Sequence, residues 1–296
     1  MQMLNRVANS VARSLRSIKR TLLPGVDARR IPFAAAYLRV AEKAGRLEYL
    51  DDVAGHKMFI DDQDSLRLSV ARIHGPGETA YFTREIKPGQ TVVDMGANIG
   101  YFSLIFARSA GTTGRVYSFE PDPTNQALLR RNIALNNYSN VVPEQLAVWK
   151  ETTTLELFQS EENRGDHRTW AVDGRKAVEI KAVSLDDYFA SITKPVHWIK
   201  MDIQGSEYQA LQGMRKLLER NRGITLYTEF WPMLLERAGS SANAMVTLLR
   251  DLGFEFFQIE EDSTVTPVDM PRLLETLSVA SGDFGNLLCR RPPHLR

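Results

Sequence analysis

The sequence predicts an α/β fold: a seven-stranded, mostly parallel sheet with helices on both faces. Three observations carry that expectation. From about residue 86 onward, short apolar runs alternate with helix-length segments, the pattern of repeated βα units. A glycine turn, Asp94-Met95-Gly96-Ala97-Asn98-Ile99-Gly100, separates the first apolar run from a helical stretch. An acid, Glu120, follows the second run.

The chain reads as three regions. Residues 1–28 form a basic amphipathic helix. Arg6, Arg13, Arg16, Lys19 and Arg20 occur there with no acid before Asp27. Leu4, Val7, Val11, Leu15, Ile18 and Leu22 recur in steps of three and four, which makes one helical stripe. Pro24-Gly25 stops it. Such a helix suits an anionic membrane surface, packing against the rest of the chain or a partner, or an organellar presequence.

Residues 29–85 hold a helical stretch, Ala34–Arg46, and two alternating segments, Lys57–Ile60 and Leu66–Ile73. The alternation predicts a small hairpin across Asp61-Asp62-Gln63-Asp64. Gly75-Pro76-Gly77 and Pro88-Gly89 punctuate the approach to the sheet.

In residues 86–296 the predicted strands are Thr91–Asp94, Arg115–Phe119, Val141–Gln145, Trp198–Met201, Ile224–Thr228, Glu255–Gln258 and Asn286–Arg290. Helices fall at Tyr101–Ser109, Thr124–Leu135, Ser206–Arg220 and Ala242–Leu252. The last two strands show no clear helix between them, which predicts an antiparallel edge hairpin. Between 151 and 189 the rhythm breaks. Thr153–Phe158 and Ala177–Ala182 read as strands flanking a polar loop, Glu161–Asp173. This is a β insertion at the ligand-binding edge.

Composition narrows the function. With 296 residues and 43% hydrophobic content, a sizeable core is affordable. A net charge of +1 gives no general pull toward nucleic acid. The single cysteine, Cys289, excludes an intramolecular disulfide and a cysteine-based zinc cluster. It lies in an apolar run and reads as a buried strand residue. No run approaches the ~18 apolar residues of a membrane span. A cytoplasmic protein is expected, with its N-terminal helix able to lie at the inner face of a membrane.

In open α/β sheets ligands bind beyond the carboxyl ends of the strands. Four acids occupy those ends: Asp94, Glu120, Asp202 and Glu229. A pyrophosphate-binding turn would be disfavoured by Asp94, two residues before the first glycine, because like charges repel. A ligand carrying an ammonium and a sulfonium suits that carboxylate, which points to S-adenosyl-L-methionine (SAM). The Gly-x-x-x-Gly spacing also differs from the dinucleotide fingerprint. Glu120 stands at the spacing expected for ribose hydroxyls.

These residues resemble the FkbM-type SAM-dependent methyltransferases over roughly residues 75–290. The resemblance rests on Val93-Asp94-Met95-Gly96-Ala97-Asn98-Ile99-Gly100, on Phe119-Glu120-Pro121, and on Leu129, Asn132 and Asn136. It rests further on Lys200-Met201-Asp202-Ile203-Gln204-Gly205-Ser206-Glu207, Leu211-Gln212-Gly213 and Tyr227-Thr228-Glu229. Gln204 stands where the family usually has an acid. The resemblance implies a class I (Rossmann-like) methyltransferase domain over 86–296. It also implies methyl transfer to a hydroxyl of a sugar, glycolipid or related natural product. The contrasting reading is a non-catalytic methyltransferase-like module held at a membrane by residues 1–26.

Asp94, Gly96, Ala97, Asn98 and Gly100 are expected to hold the methionine end of SAM, and Glu120 the ribose. Pro121 and Asp122 flank the ribose and adenine, and Leu146-Ala147 borders the adenine. Tyr101 either packs on the cofactor or fills the core. Asp202 is the first candidate for general base and Glu229 the second. Lys200 serves only if burial lowers its pKa; otherwise it forms an ion pair with Asp202. Glu207 reads as a carboxylate favoured by a helix dipole, and His197 as structural. A magnesium set of Asp202, Glu229 and Asp283 lacks tight spacing, so no metal is expected. The acceptor pocket is expected from the 159–176 loop, with His167, Arg168 and Trp170, and from the N-terminal region.

Overall fold

The computed structural model describes residues 49–292. The helices expected over 1–26 and 34–46 lie outside them. The chain divides into two compact units, Met1–His74 and Gly75–Arg296.

In the first unit, β1 (Tyr49–Val53) and β2 (His56–Phe59) form an antiparallel hairpin. The turn between them uses Ala54 (φ 49°) and Gly55 (φ 82°). Positive φ at both positions matches the strand twist of a two-residue turn. The hairpin therefore pairs 56–59 with the preceding segment, not with Leu66–Ile73. That later stretch instead contains a helical turn, α1 (Leu68–Ala71). Asp64 is the physical reason. Its carboxylate accepts from Leu68 N at 2.7 Å and from Ser69 N at 3.2 Å. Local side-chain bonds of this kind draw the backbone away from a strand ladder.

The second unit opens with α2 (Pro76–Glu85), whose N-cap is Gly75 and whose first turn holds Pro76. These residues fall in the region expected over 29–85. Phe82 explains their place here: its ring meets Phe102, Phe106, Trp198 and Tyr227 at 5.2–6.2 Å between centroids. The following elements are β3 (Thr91–Met95), α3 (Tyr101–Ala110), β4 (Arg115–Phe119), α4 (Pro123–Leu135) and β5 (Val141–Glu144). The insertion contributes β6 (Ala147–Val148), β7 (Thr153–Gln159) and β8 (Lys176–Val183). Then come α5 (Leu185–Tyr188), β9 (Trp198–Met201), α6 (Glu207–Gln212), α7 (Arg215–Arg220) and β10 (Thr225–Phe230). The chain continues through α8 (Pro232–Arg237), α9 (Ala242–Asp251), β11 (Glu255–Ile259), β12 (Val265–Pro267), α10 (Met270–Thr276) and β13 (Gly285–Arg290).

The main sheet has the order β12-β11-β13-β10-β9-β3-β4-β5. Strands β5, β4, β3, β9 and β10 run parallel. Strand β13 is antiparallel to both β10 and β11. The α/β class and the antiparallel part match expectation, but among the described residues the sheet has eight strands, not seven. The extra one, β12, is short and proline-bearing, which confines it to an edge and hides it from pattern reading. With α10 it also fills the connection that was expected to be a plain hairpin. The central strands β3 and β9 are buried at every residue, as a sheet covered on both faces requires.

The insertion forms its own three-stranded sheet, β6-β8-β7, over a small core of Ala147, Leu157, Ile180 and Ala182. The expected single helix 206–220 is broken into α6 and α7. Gly213 causes the break: a Cβ there would overlap the Trp149 carbonyl oxygen. Asp186 then starts the second half by accepting from Leu217 N at 2.8 Å. Gly213→Ala is expected to cost about 2 kcal/mol or more by overpacking against backbone. Urea denaturation of the variant measures it, and an unchanged midpoint contradicts this account of the break.

Candidate active site

The parallel strands bring their carboxyl ends to one edge. There β3 ends at Asp94-Met95, β4 leads into Glu120, β9 into Asp202, and β10 ends at Glu229-Phe230. Register sets the neighbours: Asp94 lies opposite Lys200, Met95 opposite Met201, and Met201 opposite Thr228.

The glycine turn is tied to the strand ends around it. Gly96 N and Ala97 N both donate to Phe119 O at 3.0 Å. Gly96 has φ +73°, and a Cβ on it would overlap the Asp202 carbonyl oxygen. Only glycine satisfies both demands. Asn98 also takes positive φ (51°). Its N–H thereby reaches Glu120 Oε2 at 2.8 Å. Asn132 of α4 donates to Ile99 O at 2.8 Å and pins the turn from behind. Gly100, at φ 97°, leads into α3.

Glu120 is buried, accepting from Asn98 N and, at 3.0 Å, from Asp122 N. Burial pushes its pKa up to about 7, against the pull of those two N–H groups. Asp122 caps α4, accepting from Thr124 N and Asn125 N at 2.9 Å. Its other oxygen accepts from Gln159 Nε2 at 2.5 Å and stands 3.8 Å from His167 Nε2. Pro121 lies between these acids, half-buried. Leu146 packs against the main core, whereas Ala147 opens β6 and pairs with Ala182. Tyr101 is buried with its hydroxyl 3.0 Å from Thr79 Oγ1, so it packs on α2.

Lys200 is the charge centre. Its Nζ lies 3.6 Å from Asp94 Oδ1 and 3.7 Å from Asp202 Oδ2, and donates to Gly96 O at 3.2 Å. Burial by itself would lower its pKa. The carboxylates of Asp202, Asp94 and Glu229 together outweigh that and raise it. Lys200 therefore stays protonated, which removes it as a base. Asp94 is wholly buried and accepts from Ser103 Oγ at 2.6 Å. Burial raises its pKa, opposed by Lys200 and Ser103.

Beside this pair, Gln204 Nε2 donates to Asp202 Oδ1 at 2.9 Å and to Glu229 Oε2 at 3.2 Å. Asp202 has 40% of its side chain exposed. Glu229 is buried, and burial with the nearby Asp202 and Glu207 pushes its pKa well up. Glu207 accepts from Ile203 N at 2.9 Å in the first turn of α6, and burial lifts it to about 7. His197 accepts from Thr91 N at 3.1 Å, a structural role. Asp283 is exposed, and its N–H donates to Ser281 Oγ at 3.2 Å. Among the described residues no group of His, Cys, Asp and Glu could hold a metal ion.

The insertion loop reaches this edge through the expected Trp170 and also through Arg164 and Thr169, which no sequence pattern singled out. Asn125 Nδ2 donates to Arg164 O at 2.9 Å. Trp170 Nε1 donates to Gln204 O at 3.2 Å, and Thr169 Oγ1 lies 2.5 Å from Ser206 Oγ. Arg168 covers the Trp170 ring at 4.8 Å and bonds Asp166 at 2.8 Å. His167 accepts from Ser160 N at 3.0 Å; burial lowers its pKa.

The residues present fit SAM. A carboxylate offers about four acceptor sites. Glu120 uses two on backbone, which leaves two for a pair of ribose hydroxyls. Asp94 Oδ1 is buried without a hydrogen-bond partner, as are both amide atoms of Gln126 at the head of α4. Asp94, Asp202 and Glu229 face one lysine, so the edge retains a preference for cations.

Sheet order, glycine turn and strand-end acids define a class I methyltransferase fold. The chain matches the Methyltransferase FkbM domain over residues 94–256. It belongs to the FkbM methyltransferase family, and S-adenosyl-L-methionine is its cofactor. The chain is also similar to the tRNA (adenine(58)-N(1))-methyltransferase catalytic subunit of Yarrowia lipolytica, at 32% identity over 72 residues. That match covers 24% of this chain and 18% of the relative. A protein-L-isoaspartate O-methyltransferase of Methanococcoides burtonii is 37% identical over 57 residues, covering 19% of this chain and 28% of the relative. The chain thus spans less than a third of either relative. A SAM-dependent O-methyltransferase structure from Thermotoga maritima aligns with TM-score 0.43 and 13% identity, over 82% of this chain and 77% of that one.

The buried carboxylates make stability pH-dependent. Glu120 and Glu207 are raised from 4.5 to about 7 on folding. The folded chain then binds more protons than the unfolded chain between those values, so stability falls as pH rises through that window. Without SAM, Tm is expected to be lower at about pH 8 than at about pH 6. SAM, being cationic, is expected to narrow the gap. Scanning calorimetry at the two pH values checks both; a higher Tm at the alkaline pH contradicts the assignment.

Proposed function

We propose that this chain is a SAM-dependent O-methyltransferase acting on a hydroxyl of a sugar, glycolipid or related natural product. The observation that carries the reading is the contrast among the strand-end acids. Asp94 and Glu229 are buried, whereas Asp202 keeps 40% of its side chain exposed at the same edge. A general base must reach the proton it removes. Asp202 alone of these three is open to an acceptor while held from behind.

Bound SAM supplies an electrophilic methyl group. The chain's own work is to hold both reactants and to take the acceptor's proton. Positioning carries most of the barrier reduction in such a displacement. Asp202 receives the hydroxyl proton on its carboxylate as the oxygen attacks. Lys200 and Gln204 orient that carboxylate from two sides. Glu229 is buried, its pKa is pushed well up by burial and the nearby Asp202 and Glu207, and it shares the Gln204 amide with Asp202. This makes Glu229 a positioning group and not the base.

Membrane contact through residues 1–26 belongs to the same proposal, because a lipid-linked glycan would be met at a surface. Among the described residues no helix is long and apolar enough to cross a membrane. The non-catalytic reading has no feature of the site in its favour.

Calorimetry with SAM tests the cofactor half. Transfer of labelled methyl from SAM to methyl pyranosides tests the rest. Asp202→Asn is expected to bind SAM within about threefold of wild type and to lose about 10²-fold or more in turnover. Turnover unchanged in Asp202→Asn removes it from the base role.

A further inference from the structure

Resting on the methyl-transfer reading, the geometry points to Trp231 and Phe284 as the platform on which a pyranose ring of the acceptor lies. Strand β10 ends at Phe230, which pairs with Gly285 at the start of β13. Trp231 and Phe284 therefore leave the two strands together, at the end where Glu229 sits. Glu229 pairs with Asn286, and β10 neighbours β9, which leads into Asp202.

The two rings stack, with centroids 4.8 Å apart and planes 28° from parallel. Trp231 is fixed in that pose because its Nε1 donates to Gly282 O at 3.0 Å. Phe284 leaves 55% of its surface exposed. The pair thus presents a held aromatic face open to solvent at the end of the sheet where Glu229 sits.

Polar neighbours decide what the face takes. Asp283 is exposed beside Phe284, and half-buried Asn286 stands opposite Glu229. An acyl chain would meet those groups unfavourably. A pyranose offers an apolar C–H face for the ring and hydroxyls for Asp283 and Asn286. Trp170, the aromatic that sequence favoured, is otherwise engaged. Its N–H is spent on Gln204 O and its ring is covered by Arg168. Trp170 acts as a latch of the insertion loop, and the acceptor surface lies on the β10–β13 side.

The test uses the full-length chain loaded with S-adenosylhomocysteine and a panel of methyl pyranosides. Ligand-observed saturation-transfer NMR reports binding. At least one pyranoside is expected to bind, with saturation concentrated on ring C–H protons. Phe284→Ala is expected to weaken it roughly tenfold, the size of a lost aromatic contact. Phe284→Tyr should restore it, and Trp231→Phe should fall between. The affinity for S-adenosylhomocysteine should not change in any variant. Equal pyranoside affinity in Phe284→Ala and wild type overturns the platform and leaves the methyltransferase reading standing. Absence of binding by every pyranoside overturns the sugar platform as well. Failure of wild type to bind S-adenosylhomocysteine strikes the methyltransferase reading itself.

Discussion

A buried lysine organises the working edge of this protein. The Lys200 ammonium stands between Asp94 on β3 and Asp202 after β9, and bonds the backbone of Gly96. Removing one partner from a buried charge group is strongly destabilising, because the remaining charges cannot return to water. The glycine turn, the base candidate and the two central strands are thus held by one cation. The same cation sets the chemistry: surrounded by carboxylates, it keeps its proton and cannot serve as a base.

Around it, burial sorts acids that look alike in sequence. Asp94, Glu120, Asp202 and Glu229 all end parallel strands. Glu120 is lifted to about 7, Glu229 is pushed well up by burial and its neighbours, and Asp202 stays open to solvent. One amide, that of Gln204, bonds both Asp202 and Glu229. An acid at position 204, as the family usually has, would add charge to this cluster. Glutamine instead donates to both carboxylates.

The insertion adds a strap across the same edge. It touches the head of α4 through Asn125 and Asp122, and the β9–α6 connection through Gln204 and Ser206. These bonds tie the loop to both halves of the site. Its bonds are polar and partly exposed, so its opening costs less than that of the apolar core beneath.

Pattern reading went far where periodicity and glycine are strong. All seven strands placed from apolar runs occur within one or two residues; the central ones, buried at every residue, need a continuous apolar run. The turn 94–100 was legible because φ > 0 at Gly96 and Gly100 demands glycine. The misses have two causes, local side-chain capture of backbone and long-range contact. Leu66–Ile73 alternates like a strand, but Asp64 captures its backbone. The 206–220 helix breaks where Gly213 meets Trp149. Lys200's protonation, the exposure of Asp202 and the Trp231–Phe284 stack depend on residues far apart in the chain. Local composition and spacing dictate which segments become strands and where a nucleotide turn sits, since those are short-range steric and burial demands. Which acid stays exposed, and which aromatics stack, follows from desolvation and packing that exist only once the strands are side by side.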